Sequence, residues 1–284
     1  MKTPSSKSIA QILAAITLTL LGAPAFAATT WSLDATTCGV VNAGALVDVC
    51  GSGTAAVNLS GWSTGTGTVA LPTAGTNFAA ANIYNWGSAG LGIVANNENP
   101  TDTGPHAIDN AFGIDAMLVK FTSGPVNLSS LTIGWNGTDS PATTNGVVYN
   151  DSDLSVLAWT GAGSPGPTMN GSGLLSAGWT LVGNYADVGN NVNNSQSLSS
   201  SIYSSSWLIS AYSTAYGNGT GLDQGNDAFK ILTIAGGTCA GTVVGTGCSS
   251  TTHGNGVPEP GSLTLLGAAL AGMVAVRRRK GQAA

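Results

Sequence analysis

Short apolar runs alternate with Gly-, Asn-, Ser- and Pro-rich turns along most of the chain. This rhythm predicts strands at Gly39–Val49, Ala55–Trp62, Phe78–Trp86, Leu91–Ala95 and Ala116–Phe121. Further strands are predicted at Val126–Trp135, Leu154–Trp159, Trp179–Tyr185, Trp207–Tyr212 and Phe229–Ile234. Within Val126–Trp135, Leu131, Ile133 and Trp135 keep a period of two and so share one face. No long segment carries a 3.6-residue apolar period, and helix formers are few. The pattern therefore predicts an all-β domain over 28–235, a single jelly-roll-like β-sandwich. Asn96–His106 reads as a polar loop and the Asn/Ser-rich Asn190–Ser206 as a mobile surface loop. No repeat of 20–50 residues is present, which argues against a solenoid or propeller.

Both ends depart from this rhythm. Lys2 and Lys7, the mostly apolar Ile9–Leu21 and the small residues of Ala25-Phe26-Ala27 form the layout of a secretory signal peptide, 1–27. At the other end, a Gly/Thr/Ser-rich stalk (236–256) precedes a three-part segment, 257–284. Pro258-Glu259-Pro260 is stiff and extended, because its prolines fix φ and lack donors. The apolar stretch 261–276 spans about 24 Å as a transmembrane helix, short for a bilayer core of about 30 Å but tolerable with local thinning. Arg277, Arg278, Arg279 and Lys280 then hold the C-terminus in the cytoplasm.

That order of parts resembles the sorting tail of PEP-CTERM proteins. The resemblance implies a membrane processing partner, an exosortase, acting on Pro258, Glu259 and Pro260, with the Arg277–Lys280 cluster as the inner stop. It implies export through the inner membrane, transient anchoring by the C-terminal helix, and release to the cell surface or beyond. The rival reading is an ordinary tail anchor; any one part alone would fit it, but the three parts in this order are specific as a set.

Charge and composition narrow the choices further. Removing both signals leaves two basic residues, Lys120 and Lys230, against twelve acids, a net charge of −10. Such a surface has no basic patch to neutralise phosphates, and this excludes nucleic-acid binding. The seven tryptophans and many β-branched residues argue for a packed core rather than disorder. Four cysteines in an exported chain read as two disulfides, and the sequence-local pairs Cys38–Cys50 and Cys239–Cys248 are expected. Metal binding by these cysteines is the weaker alternative, because neither pair has Cys-x-x-Cys spacing.

Several motifs carry possible chemistry. Gly61-Trp62-Ser63-Thr64-Gly65 fits the nucleophile-elbow pattern, but the Gly/Thr run after it is a poor helix start, and the histidines are only His106 and His253. Asp102, Asp109, Asp115, Asp151 and Asp153 are candidates for a glycosidase pair; equally, acids beside turns cap the backbone. Asp151-Ser152-Asp153 opens like a calcium loop, although Val156 stands at its sixth position and Ala162 at its twelfth. Gly219-Thr220-Gly221-Leu222-Asp223 matches part of a calcium nonapeptide once. No cofactor is expected, a structural calcium ion being the single exception, and neither catalytic nor metal-binding residues are assigned. Of Trp62, Trp86, Trp135, Trp159, Trp179 and Trp207, most should be core, and one or two on a face would stack on sugars.

The set His106-Ala107-Ile108-Asp109-Asn110, Asp115, Lys120-Phe121, Gly134-Trp135, Asp151–Asp153, Trp207–Ile209 and Phe229-Lys230 is similar to a family of exosortase-dependent surface proteins. It implies a secreted surface protein and brings no catalytic residues to transfer. The function expected of the chain is a non-catalytic cell-surface or extracellular-matrix protein associated with exopolysaccharide in biofilm or floc. The alternative from the residues themselves is a carbohydrate-binding module or a polysaccharide-acting enzyme.

Overall fold

The computed structural model describes residues 28–39, 46–53, 56–65, 77–95, 106–111, 113–137, 142–144, 147–149, 151–163, 165, 173–189, 195–239 and 241–249. The expected signal peptide, Asp102, and the whole tail with Pro258–Pro260, the 261–276 helix and Arg277–Lys280 lie outside these residues. Among the described residues no helix is long and apolar enough to cross a membrane.

The fold is all-β. Its strands are β1 (Ala28–Ser32), β2 (Val47–Cys50), β3 (Val57–Ser63), β4 (Ala79–Asn85), β5 (Leu91–Val94), β6 (Ile108–Asp109), β7 (Asp115–Phe121) and β8 (Val126–Asn136). There follow β9 (Ala142–Thr144), β10 (Val147–Tyr149), β11 (Leu154–Trp159), one short helix α1 (Leu174–Ala177) and β12 (Trp179–Tyr185). The chain continues through β13 (Ser195–Ser197), β14 (Ser206–Ala211), β15 (Ala228–Thr238), β16 (Thr242–Val244) and β17 (Gly247–Ser249). Thirteen of these make one curled antiparallel sheet in the order β12-β11-β14-β7-β3-β4-β5-β15-β8-β13, with β2 on β3 and both β1 and β6 on β15.

Strand β4 is the corner. Its first residues, Ala79–Ala81, pair with β3, whereas Asn82–Asn85 pair with β5. One hydrophobic cluster takes residues from both arms of the curl: Trp31, Leu131 and Ile234 from one, Leu59, Val119 and Trp207 from the other. Trp31 on β1 and Phe121 on β7 meet with ring centroids 4.7 Å apart. A second cluster covers the other face of the β12-β11-β14-β7-β3 arm, with Trp62, Phe78, Leu157, Trp179, Leu208 and Tyr216. Two-residue alternation explains the division along β14, where Trp207, Ile209 and Ala211 serve the first cluster and Leu208 the second. A strand buried on both faces reads as a continuous apolar run, as Trp-Leu-Ile does here. Trp207 is fully buried, and its indole Nε1 donates to the carbonyls of Val126 and Ser204 at 3.1 and 3.0 Å.

Two segments differ from the sequence expectation. The stretch expected to be a mobile loop, Asn190–Ser206, is docked wherever it is described. Ser195–Ser197 pairs with β8, Leu198 is buried, and the Asn127 side chain donates to the carbonyls of Ser200 and Ile202. The Ser204 hydroxyl shares its one proton between the carbonyls of Trp159 and Ser206. Serine and asparagine side chains here satisfy backbone groups that a loose loop would give to water, which composition alone does not reveal. Within 236–256, read as a stalk, β15 runs on to Thr238 and the β16–β17 hairpin follows. Cys38–Cys50 and Cys239–Cys248 are both disulfides. Loops of this length contribute on the order of 3 kcal/mol each by restricting the unfolded chain.

Candidate functional site at the two ends of one loop

Residues 106–111 connect two clusters of chemistry-bearing side chains, one closed and one open. Asn110 lies at the closed end. Its side-chain nitrogen donates to the carbonyl of Tyr212 at 3.0 Å and to Asp227 Oδ2. Its oxygen accepts from the amides of Gly225 and Asp227 at 3.0 and 3.1 Å. One amide side chain thus pins the turn before β15 to the end of β14.

Asp227 is fully buried, and its Oδ1 accepts from the amide of Asp153 at 2.7 Å. Asp153 is also fully buried, and its two oxygens accept from the amides of Asp187 and Asp223, each at 2.9 Å. The Asp151 carboxylate accepts from the Ser152 amide, and Asp151 forms a parallel bridge with Asp227. Oxygens from Asp151, Asp153 and Asp227 all lie within 4.8 Å of one another. Burial pushes the Asp227 carboxyl up to about 9, with the charges of Asp153 and Asp151 adding to the effect. Burial also raises Asp151, to about 6, and Asp153, with Asp187 and Asp223 as neighbouring charges in both cases. Desolvated carboxylates this close cannot all stay ionised without a counter-charge. The three oxygens can share protons, and they are also the hard ligands that a calcium ion takes.

The open end is aromatic. His106 lies between Tyr84 and Trp86, with centroids 5.7 Å from each and planes tilted by only 25° and 18°. Lys230 and Trp135 are cross-strand partners on β15 and β8. The lysine Nζ sits 4.1 Å from the Trp135 ring centroid and 5.0 Å from that of Trp86. Trp86 is 43% exposed, whereas His106 and Lys230 are each only 6% exposed. Burial lowers the Lys230 ammonium to about 8.

Backbone geometry holds this platform in place. The His106 carbonyl passes so close to Gly92 on β5 that a Cβ there would lie 1.9 Å from its oxygen. Gly90 has φ +90° and would bring a Cβ to 2.3 Å from the Ile231 carbonyl oxygen, so the Trp86–Gly90 turn also needs glycine. That turn is closed by the Trp86 amide donating to the Gly90 carbonyl at 3.0 Å. The non-glycine residues described with positive φ are His106 (41°) and Asp187 (50°), one at each end of the site. Strained backbone collects where the surrounding structure holds a side chain for use.

The residues singled out in the sequence divide unevenly. Asp151 and Asp153 converge, and Trp86 and Trp135 share the platform. Asp109 accepts from the Ala111 amide instead, and Asp115 begins β7; neither joins the triad. Ser63 ends β3, and its hydroxyl accepts from the Gly65 amide at 2.9 Å. Thr64 and Gly65 are not helical, so the described residues form no strand-to-helix elbow. Trp31, Trp62, Trp179 and Trp207 are core. The sequence reading missed Asp227 and Asp187, and named Lys230 without its aromatic setting. Asn226-Asp227 directly before an apolar strand was the available signal, as a turn signature.

Residues 256–280 match the PEP-CTERM protein-sorting motif. The match includes Pro258, Glu259, Pro260 and the Arg277–Lys280 cluster. No curated protein matches the chain. The motif is one that exosortase recognises, and it implies export and a surface or extracellular location. Residues 256–280 thus give this chain a PEP-CTERM sorting tail.

Proposed function

We propose that the mature protein is a non-catalytic surface or extracellular-matrix component that holds exopolysaccharide, in biofilm or floc, through the Trp86 platform. The observation that carries this reading is the exposure of Trp86 beside stacked His106 and Tyr84. An indole with an open apolar surface and polar neighbours suits contact with the C–H face of a sugar ring. A polysaccharide-acting enzyme is less well supported. A glycosidase acid and base flank the substrate, about 5–9.5 Å apart. Here three acids crowd within 4.8 Å, and two of them are sealed from solvent.

The processing steps belong to the same proposal. A signal peptide ends at Ala27, and the helix 261–276 anchors the chain until exosortase cuts near Pro258-Glu259-Pro260. The ectodomain closes as a sandwich; the hydrophobic cluster that draws on both arms of the curl, and the Trp31–Phe121 contact between them, support this. The test is co-sedimentation of the full-length chain, in mild detergent, with exopolysaccharide from the producing cells. Trp86→Ala should lower binding about tenfold while leaving the thermal midpoint within a few degrees. Equal binding by both proteins, or no binding by either, rejects the platform reading.

A further inference from the structure

Lys230 gives the platform a charge preference. It is one of two basic residues between 28 and 256, and the other, Lys120, lies elsewhere, exposed on β7. Its ammonium is held over two indole rings, and among the described residues no carboxylate pairs with it. Ring faces compensate only partly for removing a cation from water. A methionine would fill the same space against Trp135 without that penalty. The ring of Trp86, an exposed residue and the contact surface of the proposed sugar site, has its centroid 5.0 Å from that cation.

Resting on that reading, we propose that the Trp86–Lys230–Trp135 platform selects acidic polysaccharide, the Lys230 ammonium pairing with a sugar carboxylate while Trp86 packs against the ring that bears it. The 5.0 Å between Nζ and the Trp86 ring centroid lets one sugar unit touch both groups. A charge-assisted hydrogen bond in a partly desolvated site corresponds to about tenfold in affinity or more. The net charge of −10 opposes approach of an acidic polymer at long range. At physiological salt this field is screened beyond about 8 Å, so the local ammonium decides once contact is made.

The test uses full-length protein and polymers that differ only in charge: polygalacturonate, alginate and hyaluronan, each paired with its methyl-esterified form. Wild type should bind at least one acidic polymer about tenfold more tightly than its ester. Lys230→Met should abolish that preference, whereas Lys230→Arg should keep it. The wild-type preference should also fade as pH rises above 8, as Lys230 loses its proton, and should persist in the arginine variant. Equal affinity for acid and ester in wild type overturns the inference and leaves the sugar-binding reading standing. So does a preference that survives in Lys230→Met. Failure to bind any polymer, the native exopolysaccharide included, overturns both.

Discussion

The two ends of the 106–111 loop gather charge of opposite sign and treat it in opposite ways. At the Asn110 end, acids are closed in, and nearly every oxygen that faces inward accepts from a backbone amide or from Asn110. At the His106 end, the single cation is held by ring faces, beside an indole that remains exposed. Hydrogen bonds from several segments make the first a clasp, because each removed partner leaves a buried group unsatisfied. The second has fewer polar obligations inside the protein and more surface available outside. Stability should therefore depend on the acids and binding on the platform.

The largest test of this division is pH. Asp227 holds its proton in the folded protein up to about 9, while an unfolded aspartate loses it near 3.8. Between these values the native state binds more protons than the unfolded one, so stability falls as pH rises. Asp151, raised to about 6, adds to the fall at its acidic end. Chemical denaturation between pH 5 and pH 8 should show a loss of roughly 1 kcal/mol per pH unit. Asp227→Asn should flatten that slope, whatever its absolute stability. A flat wild-type profile would break the proton-sharing account. A profile that calcium lifts at pH 8, and a chelator returns, would place a cation among the three carboxylates instead.

Next in size is the clasp itself. Asn110→Ala removes two donations and two acceptances at a buried position. It should cost about 3 kcal/mol, from the unsatisfied amides and the Asp227 oxygen left behind. Urea unfolding measures this directly. A change below about 1 kcal/mol would mean that water replaces the side chain and the clasp contributes little.

The contrast also shows how far the residues could be read before the fold. Alternation located β3, β4, β7, β8, β11, β12, β14 and the apolar part of β15, because a two-residue period is a local property. The cysteine pairs were legible for the same reason, each bracketing a short stretch. Asp151 and Asp153 stood out as a motif, but Asp227 lies more than 70 residues further on and joins them only because the sheet brings β15 to that place. Lys230 meets Trp135 across a strand pair nearly 100 residues apart in sequence. Period two says which face a residue takes, and not which strand lies beside it. Composition misled at 190–206, where serine and asparagine side chains dock the segment by hydrogen bonds rather than by apolar area.

The smallest effect expected is the mirror image of the first. Burial lowers Lys230 to about 8, below its ordinary 10.5. Between those values the unfolded chain keeps a proton that the folded protein has lost, so this group makes stability rise with pH. The gain should be about 1 kcal/mol between pH 7 and pH 9, easily hidden beneath the opposite slope of Asp227. Comparing Asp227→Asn with the double variant Asp227→Asn/Lys230→Met separates them. The single variant should gain stability toward pH 9, and the double variant should not. If both profiles coincide, the ammonium is better solvated than its position between two indoles implies, and the charge preference assigned to the platform loses its physical basis.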